Sequence, residues 1–214
     1  MTTIALMLTL IVSAQDKPQD IPKKELPKEA ECSVCIAKGN PMELEKPAAG
    51  VLYNGKSYYF CNAAELVEFK KNPELYVPLV LPMALPELNL KDESGKTWDT
   101  EAFKGKLVLL DYWATWCKPC LALKPKVDKI WDAYKSKGFD VLSINIDEKR
   151  DTLNKFLKKK PFDNPIAFDD KQTWSKLKVI TIPALFLVKN GNVVAVFRGN
   201  ADAKAIEAAV KANF

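Results

Sequence analysis

The pattern of apolar and polar residues predicts a buried strand followed by a helix in the middle of the chain. Residues 107–113 form an apolar run interrupted by one acid, Asp111, as expected for a strand covered on both faces. From Leu121 to Tyr134, apolar residues recur at steps of three and four, which predicts an amphipathic helix. Between these elements residues 117–120 read Cys-Lys-Pro-Cys. The chain thus carries two thiols from a buried strand to the start of a helix.

A cysteine at the start of a helix favours its thiolate, because unpaired backbone N–H groups and the positive end of the helix dipole stabilise the negative charge. A thiol with pKa near 8.5 is about 3% ionised at pH 7, whereas a pKa near 7 gives roughly half. We therefore predict that Cys117 is the nucleophile and that Cys120, as the more buried thiol, resolves the mixed disulfide. A static disulfide or half of a zinc site is the structural alternative. The other Cys-x-x-Cys, at Cys32 and Cys35, lies much farther away than the roughly 15–20 residues of a zinc knuckle.

The remaining periodic segments predict an α/β domain with a central mixed sheet. They are strands at 139–146, 184–188 and 193–197, helices at 151–160, 169–177 and 201–212, and turns at Gly95-Lys96 and Asn190-Gly191.

The residues around the cysteine pair resemble the active-site motif of the thioredoxin superfamily. Trp-Ala-Thr-Trp before the first cysteine is similar to the TlpA/ResA branch of extracytoplasmic thiol-disulfide oxidoreductases. The resemblance runs from about Leu85 to Phe214 and implies a thioredoxin fold over residues 87–214. The residues that carry it are Trp113, Trp116, Cys117, Pro119 and Cys120, with Asp111 six residues before the first cysteine and Pro125 five residues after the second.

The resemblance also implies roles for residues away from the cysteines. Asp111 would relay a proton to or from Cys120, and the alternative is an acid held in the core without catalytic duty. Pro183 would follow a cis peptide bond and face the cysteines, exposing the backbone of Thr181 and Ile182 to substrate and keeping metals off the thiols.

Residues on either side of Cys117 complete the predicted substrate surface. We assign Trp116 to the rim and Trp113 to core packing. Lys118 and Pro119, between the two thiols, are also predicted to contact substrate.

The first 30 residues suggest export. Residues 1–14 contain an apolar segment, Ile4 to Val12, that ends in Val-Ser-Ala and resembles a signal peptide. This segment is shorter than the roughly 20 residues of a membrane span. An uncleaved N-terminal anchor is the alternative. Residues 15–30, rich in proline and charge, predict a flexible tether.

Residues 31–78 predict a small α+β module, followed by a linker or extended entry strand at 79–86. Asn54-Gly55 between two strand-like runs indicates a hairpin, and residues 63–71 a helix. The segment resembles YHS/TRASH metal-handling modules, with Glu65 standing where those modules commonly have a further cysteine. The matching residues are Cys35, Tyr53, Gly55, Tyr58, Phe60, Cys61, Phe69, Pro73 and Tyr76.

Three interpretations of Cys32, Cys35 and Cys61 stay open. They form a copper(I) or zinc site, together with Glu65; or Cys32 and Cys35 form a redox pair that exchanges with the main site; or a structural disulfide forms and leaves Cys61 buried. The chain has five cysteines, so one thiol is left over in any pairing.

Composition narrows the function further. The chain has no histidine, which excludes Cys-His proteases and histidine-ligated zinc. The net charge of +5 is spread without the aromatic-basic pattern of nucleic-acid binders. We predict an exported, monomeric thiol-disulfide oxidoreductase that acts on protein substrates, needs no cofactor for exchange and works as a reductant. In an oxidising compartment that role requires a membrane electron donor. A metal chaperone or sensor is the main alternative; a thiol peroxidase fits the Trp-Cys-x-x-Cys motif poorly.

Overall fold

The computed structural model describes residues 17–40, 43–199 and 201–214, so the predicted signal peptide lies outside the described residues. The described chain divides into two compact units. The N-terminal unit contains residues up to Ser33 together with Glu43–Glu74, and the second unit contains residues from Val34 up to residue 40 together with Leu75–Phe214. In this division the short segment after Ser33 groups with the larger unit, and the domain bounds at 31–78 and 87–214 stay a prediction.

The N-terminal unit is a three-stranded antiparallel sheet with one helix. Its elements are β1 (Gln19–Asp20), β2 (Ala49–Tyr53), β3 (Lys56–Phe60) and α2 (Ala63–Lys71); helix α1 (Ser33–Ala37) crosses the boundary between the units. Asn54 and Gly55 adopt positive φ, as the predicted tight hairpin requires. The side chain of Asn62 caps α2 by accepting from the N–H of Glu65. Phe69 of α2 is fully buried among aromatic residues of the hairpin.

Part of the predicted tether is ordered. Gln19 pairs with Leu52 and Asp20 with Val51, so β1 covers one edge of the small sheet. The prediction of a flexible segment from 15 to 30 is wrong for these residues, because an open strand edge offers backbone partners that composition does not reveal.

The larger unit is built on a six-stranded mixed sheet in the order β4-β11-β10-β7-β8-β9. β7 runs parallel to β8 and antiparallel to β10. The strands are β4 (Met83–Ala84), β7 (Leu107–Trp113), β8 (Phe139–Asn145), β9 (Ile166–Phe168), β10 (Ala184–Lys189) and β11 (Asn192–Arg198), and a small hairpin is made by β5 (Leu90–Lys91) and β6 (Thr97–Trp98). β4 shows that the predicted linker includes an entry strand, whereas β9 is an element that the sequence analysis missed.

All seven residues of β7 are buried because both faces of the sheet are covered. On one face, Leu107 and Leu109 pack with the apolar side of α3 and α6; on the other, Val108, Leu110 and Tyr112 pack with the β5–β6 hairpin. The helices of this unit are α3 (Lys118–Tyr134), α4 (Arg150–Leu157), α5 (Thr173–Lys176) and α6 (Ala203–Ala212). Within the described residues, every helix is too short or too polar to cross a lipid bilayer.

Candidate active site

The cysteine pair lies where the chain passes from β7 into α3. Cys117 is the N-cap residue of α3 and forms a disulfide with Cys120. The Sγ of Cys117 accepts a hydrogen bond from the backbone N–H of Cys120 at 3.2 Å. An N–H donor and the positive end of a helix both stabilise negative charge on a sulfur at this position, and the role of Cys117 as the nucleophile stays a prediction. The pairing of Cys117 with Cys120 agrees with the prediction, and the redox activity of this disulfide stays a prediction.

The two cysteines are equally buried in the disulfide form, each with 4% of its surface exposed. The prediction that Cys120 is the more buried residue is wrong for this form, because one apolar cluster covers both sulfurs. Its other members include Trp113, Ala114, Leu153 and Ile166, with Ile182 packed against it. The helix end, rather than burial, distinguishes the two sulfurs here.

The two tryptophans of the motif occupy the predicted environments. Trp116 is 67% exposed at the rim of the site, whereas Trp113 is 2% exposed in the core. The ring of Trp113 packs against Phe162 at 4.9 Å between centroids. Lys118 and Pro119 are exposed at the first turn of α3, beside the rim tryptophan.

The peptide bond between Ile182 and Pro183 is cis, as predicted. Pro183 is buried and directly precedes β10, whose first residue, Ala184, pairs with Tyr112 of β7. Ile182 packs against the cluster that contains the two cysteines. Ile182 therefore lies in the apolar surroundings of the disulfide.

A groove of about 810 Å³ is lined by Trp116, the residue before Cys117, and by Thr181 and Ile182. It also contains four acids and a second tryptophan that the sequence analysis missed: Asp147, Glu148, Asp169, Asp170 and Trp174. The acids follow the carboxyl ends of β8 and β9. Because parallel strands end at the same edge of a sheet, that position was the available sequence signal, and it required the missed strand β9.

Asp111 lies on the face of β7 that α3 covers and is 4% exposed. Burial raises the pKa of the Asp111 carboxyl, and the nearby charge of Lys124 and a hydrogen bond from Ser143 oppose that rise. Asp128 raises the pKa further. The predicted buried position is confirmed, and the proton-relay role stays a prediction.

The thiols of the N-terminal unit form a separate cluster. Cys32 is 6% exposed, and its Sγ donates to Oε2 of Glu65 at 2.7 Å. The ligand atoms of Cys32, Cys61 and Glu65 lie within 4.8 Å of one another. Cys32, Cys35 and Cys61 are thiols in this structure, so neither a structural disulfide nor an oxidised Cys32–Cys35 pair is formed here.

Residues 82–212 match the redoxin family. The thiol-disulfide oxidoreductase ResA of Bacillus thuringiensis subsp. konkukian (strain 97-27) is 32% identical over 128 residues, which cover 59% of this chain and 74% of the relative. ResA of Bacillus subtilis (strain 168) is 32% identical over 116 residues, covering 53% of this chain and 65% of that protein. The N-terminal unit precedes the redoxin match, and its resemblance to YHS/TRASH modules stays a prediction.

A solved structure supports the same assignment. The crystal structure of a putative thiol:disulfide interchange protein DsbE from Chlorobium tepidum is 33% identical and superposes with a TM-score of 0.59, covering 64% of this chain and 99% of that chain. The predicted thioredoxin fold is thereby confirmed. The chain belongs to the redoxin family within the thioredoxin superfamily and is a TlpA/ResA-like protein-disulfide oxidoreductase.

Proposed function

We propose that the protein reduces disulfides of other proteins outside the cytoplasm. The observation that carries this proposal is the Cys117–Cys120 disulfide at the start of α3, together with a groove lined by Trp116 and the segment before the cis proline. A groove lined by the residue before Cys117 suits an extended protein segment, which presents its own disulfide or cysteine to Cys117.

The exchange takes place in two steps. In the reduced protein, the Cys117 thiolate attacks a substrate disulfide, forming an S–S bond to one substrate sulfur and releasing the other as a thiolate. Cys120 then loses its proton to Asp111 and attacks Cys117. The Cys117–substrate bond breaks, the second substrate thiolate leaves and takes a proton from water, and the Cys117–Cys120 disulfide forms. Two electrons pass from the protein to the substrate.

Asp111 suits the role of proton acceptor because burial raises its pKa. A general base works best when its pKa is closer to the operating pH than that of an ordinary carboxylate. After the exchange, Asp111 returns its proton to solvent, and a membrane electron donor reduces the disulfide again.

The redox direction is tested by equilibrating the protein with glutathione buffers. We expect a potential near that of thioredoxin, about −270 mV, whereas a value near that of the oxidant DsbA, about −120 mV, contradicts the reductant role. In cells, Cys120→Ser should trap substrates as mixed disulfides, and the Cys117→Ser/Cys120→Ser double variant should trap none. Equal trapping by both variants contradicts Cys117 as the attacking thiol.

The proposal that the protein is exported, and that it is anchored if the segment is uncleaved, is based on the apolar segment from Ile4 to Val12. It is tested by fractionating cells that carry either the full chain or a variant lacking residues 1–14. We expect the full chain outside the cytoplasm and the shortened one inside. Carbonate extraction of the membrane fraction separates an anchored form from a released one, and sedimentation of the purified protein should show a monomer.

We propose metal handling by the N-terminal unit as a second function. The supporting observation is the cluster of Cys32, Cys61 and Glu65, whose ligand atoms lie within 4.8 Å of one another. Asn62 donates to the sulfur of Cys61 at 3.4 Å, and Glu65 lies in the first turn of α2, where the helix dipole favours negative charge. Cys35, three residues after Cys32, supplies a further thiolate by its spacing.

The donor set favours zinc(II) over copper(I), because a carboxylate oxygen suits zinc and adds little for a soft monovalent ion. Zinc should bind the anaerobically purified protein and be lost in the Cys32→Ser/Cys35→Ser/Cys61→Ser variant. Glu65→Gln should lower the affinity for zinc by about tenfold or more and leave the affinity for copper(I) nearly unchanged. The Cys117→Ser/Cys120→Ser variant is the matched control and should bind zinc like the wild type. Equal, negligible zinc in wild type and triple variant contradicts this function.

A further inference from the structure

Helix α3 carries a buried lysine one turn after the second cysteine. Lys124 is four residues beyond Cys120 and is only 4% exposed. Lysine is almost never buried to this degree unless it is paired. Lys124 could not be singled out from the sequence, because Lys126 and Lys129 on the same helix are exposed and nothing in the local pattern separates the three lysines.

The ammonium of Lys124 makes two hydrogen bonds and one ion pair. It donates to Oγ of Ser143 at 2.9 Å and to Oδ1 of Asn164. It also forms an ion pair with Oδ1 of Asp128 at 3.2 Å. The two hydrogen bonds and the ion pair hold the ammonium of Lys124 in one orientation.

Ser143 links Lys124 to Asp111 through hydrogen bonds. Its Oγ accepts from Lys124 and also from Nδ2 of Asn164, at 2.9 Å in each case. A hydroxyl has two acceptor positions and one proton, so the two N–H donors leave only the proton to be directed elsewhere. Oδ2 of Asp111 lies 3.4 Å from the same oxygen and receives that proton. The hydrogen bonds therefore form a chain in which Lys124 donates to Ser143 and Ser143 donates to Asp111.

We propose that Lys124 is a positioning residue for the exchange reaction: through Ser143 it favours the carboxylate form of Asp111 and so sets the pH range in which Asp111 accepts the proton of Cys120. The inference deepens the proposed function and rests on the role of Asp111 in it. The charged groups that act on Asp111 are Lys124 and Asp128, both from α3, and Ser143 of β8 adds its hydrogen bond.

Lys124 affects the second step through the ionisation of Asp111 and does not itself exchange a proton. The proton of Cys120 moves to Asp111, the Cys117–Cys120 bond forms and the bond from Cys117 to the substrate sulfur breaks. With the lysine charge removed, burial and Asp128 act on the carboxyl against the hydrogen bond from Ser143 alone, so Asp111 stays protonated up to a higher pH. The step then slows at pH values where the wild-type carboxyl is ionised.

The test uses reduced full-length protein and dithionitrobenzoate in single-turnover experiments across pH. Attack by Cys117 releases the first thionitrobenzoate, and resolution by Cys120 releases the second, so the two steps are seen separately. For Lys124→Met, we expect an unchanged first phase. At the wild-type midpoint pH, the second phase should slow about fivefold, and its midpoint should move to higher pH.

Matched variants separate this effect from a loss of structure. Lys126→Met removes the same charge from an exposed position two residues along α3 and should leave both phases unchanged. Lys124→Arg keeps the charge and should bring the midpoint back toward that of the wild type. Ser143→Ala removes the bridge while keeping the lysine and should shift the midpoint in the same direction as Lys124→Met, which keeps the test usable if that variant does not fold.

Two outcomes overturn different claims. If Asp111→Asn leaves the pH profile of the second phase unchanged, the proposed role of Asp111 fails. If Asp111→Asn removes the pH dependence while Lys124→Met and Ser143→Ala keep the wild-type midpoint, the role of Asp111 stands and the role of Lys124 is wrong.

Discussion

Both the backbone N–H and the hydroxyl of Thr115 donate to the carboxylate of Asp147, each at 3.1 Å. A further donor, Nδ2 of Asn145, holds the same carboxylate at 2.9 Å. Thr115 immediately precedes Trp116, and Asp147 follows the end of β8. The pair therefore fixes the loop that presents the exposed tryptophan beside the cysteines.

We expect Asp147→Ala to weaken substrate binding more than it slows the chemistry. Loss of the carboxylate releases the Thr115 loop, so the KM for a protein disulfide should rise severalfold while kcat changes little. The lost hydrogen bonds to a charged acceptor should lower the free energy of unfolding by about 2–4 kcal/mol. Insulin-reduction kinetics and urea titration measure the two effects. Glu148→Ala, which removes an exposed acid from the same groove, is the control; an equal change in KM for both variants would indicate that groove charge matters rather than the loop.

The two tryptophans should respond to alanine substitution in opposite ways. Trp116→Ala removes an exposed ring, so stability should stay within about 0.5 kcal/mol of the wild type while the KM for protein substrates rises. Trp113→Ala leaves a cavity in the core beside Phe156 and Phe162 and should lower the free energy of unfolding by about 3–5 kcal/mol. Thermal unfolding with the same insulin assay checks both. An unchanged KM in Trp116→Ala contradicts its assignment to substrate binding.

Asp111→Asn should increase stability at neutral pH even though it impairs exchange. Since burial raises the pKa of Asp111 in the folded protein, the folded carboxyl keeps its proton over a pH range where the unfolded carboxyl has lost it. The free energy of unfolding therefore falls as the pH rises from the unfolded pKa, about 3.9, to the folded pKa. The uncharged asparagine avoids this loss, so its Tm should exceed that of the wild type at neutral pH. The gain should vanish below about pH 4; a gain that persists there points to a cause other than ionisation.

Asp92 should be a stability residue of the β5–β6 hairpin. Its carboxylate accepts from the Trp98 indole at 2.9 Å and from the N–H groups of Ser94 and Lys96 at 2.9 and 3.1 Å. Desolvation by itself raises the pKa of Asp92, but the hydrogen bonds from Ser94, Trp98 and Lys96 outweigh it and the net pKa is lowered.

Asp92→Ala leaves the indole N–H of a fully buried tryptophan without its acceptor, and we expect a cost of about 2–4 kcal/mol at neutral pH. A lowered folded pKa means that the stabilisation is complete above the unfolded pKa and is lost as the pH falls through the folded pKa. The difference in the free energy of unfolding between Asp92→Ala and the wild type should thus become smaller at acidic pH. Urea titrations at several pH values measure it. Glu93→Ala, which removes an exposed ion pair with Arg150, is the control and should cost under about 1 kcal/mol.

Most elements of the larger unit could be predicted because their signals are local. The apolar run of β7 and the three-and-four spacing of α3 each reflect one element packing against a core, and the turn at Asn190-Gly191 reflects backbone geometry at two residues. The errors occurred where a segment depends on a distant partner. Strand β1 exists through its pairing with β2, and β9 has only three residues to mark it.

By itself, the sequence determined a buried strand that ends in two thiols at the start of a helix, and hence the chemistry of this protein. Only the tertiary structure decided that Lys124 is buried while Lys126 is exposed, that both sulfurs are equally covered, and that acids after β8 and β9 share a groove. The physical reason is that periodicity and helix ends depend on neighbours along the chain. The burial and ionisation of a charged side chain depend on the groups that folding brings to it from elsewhere.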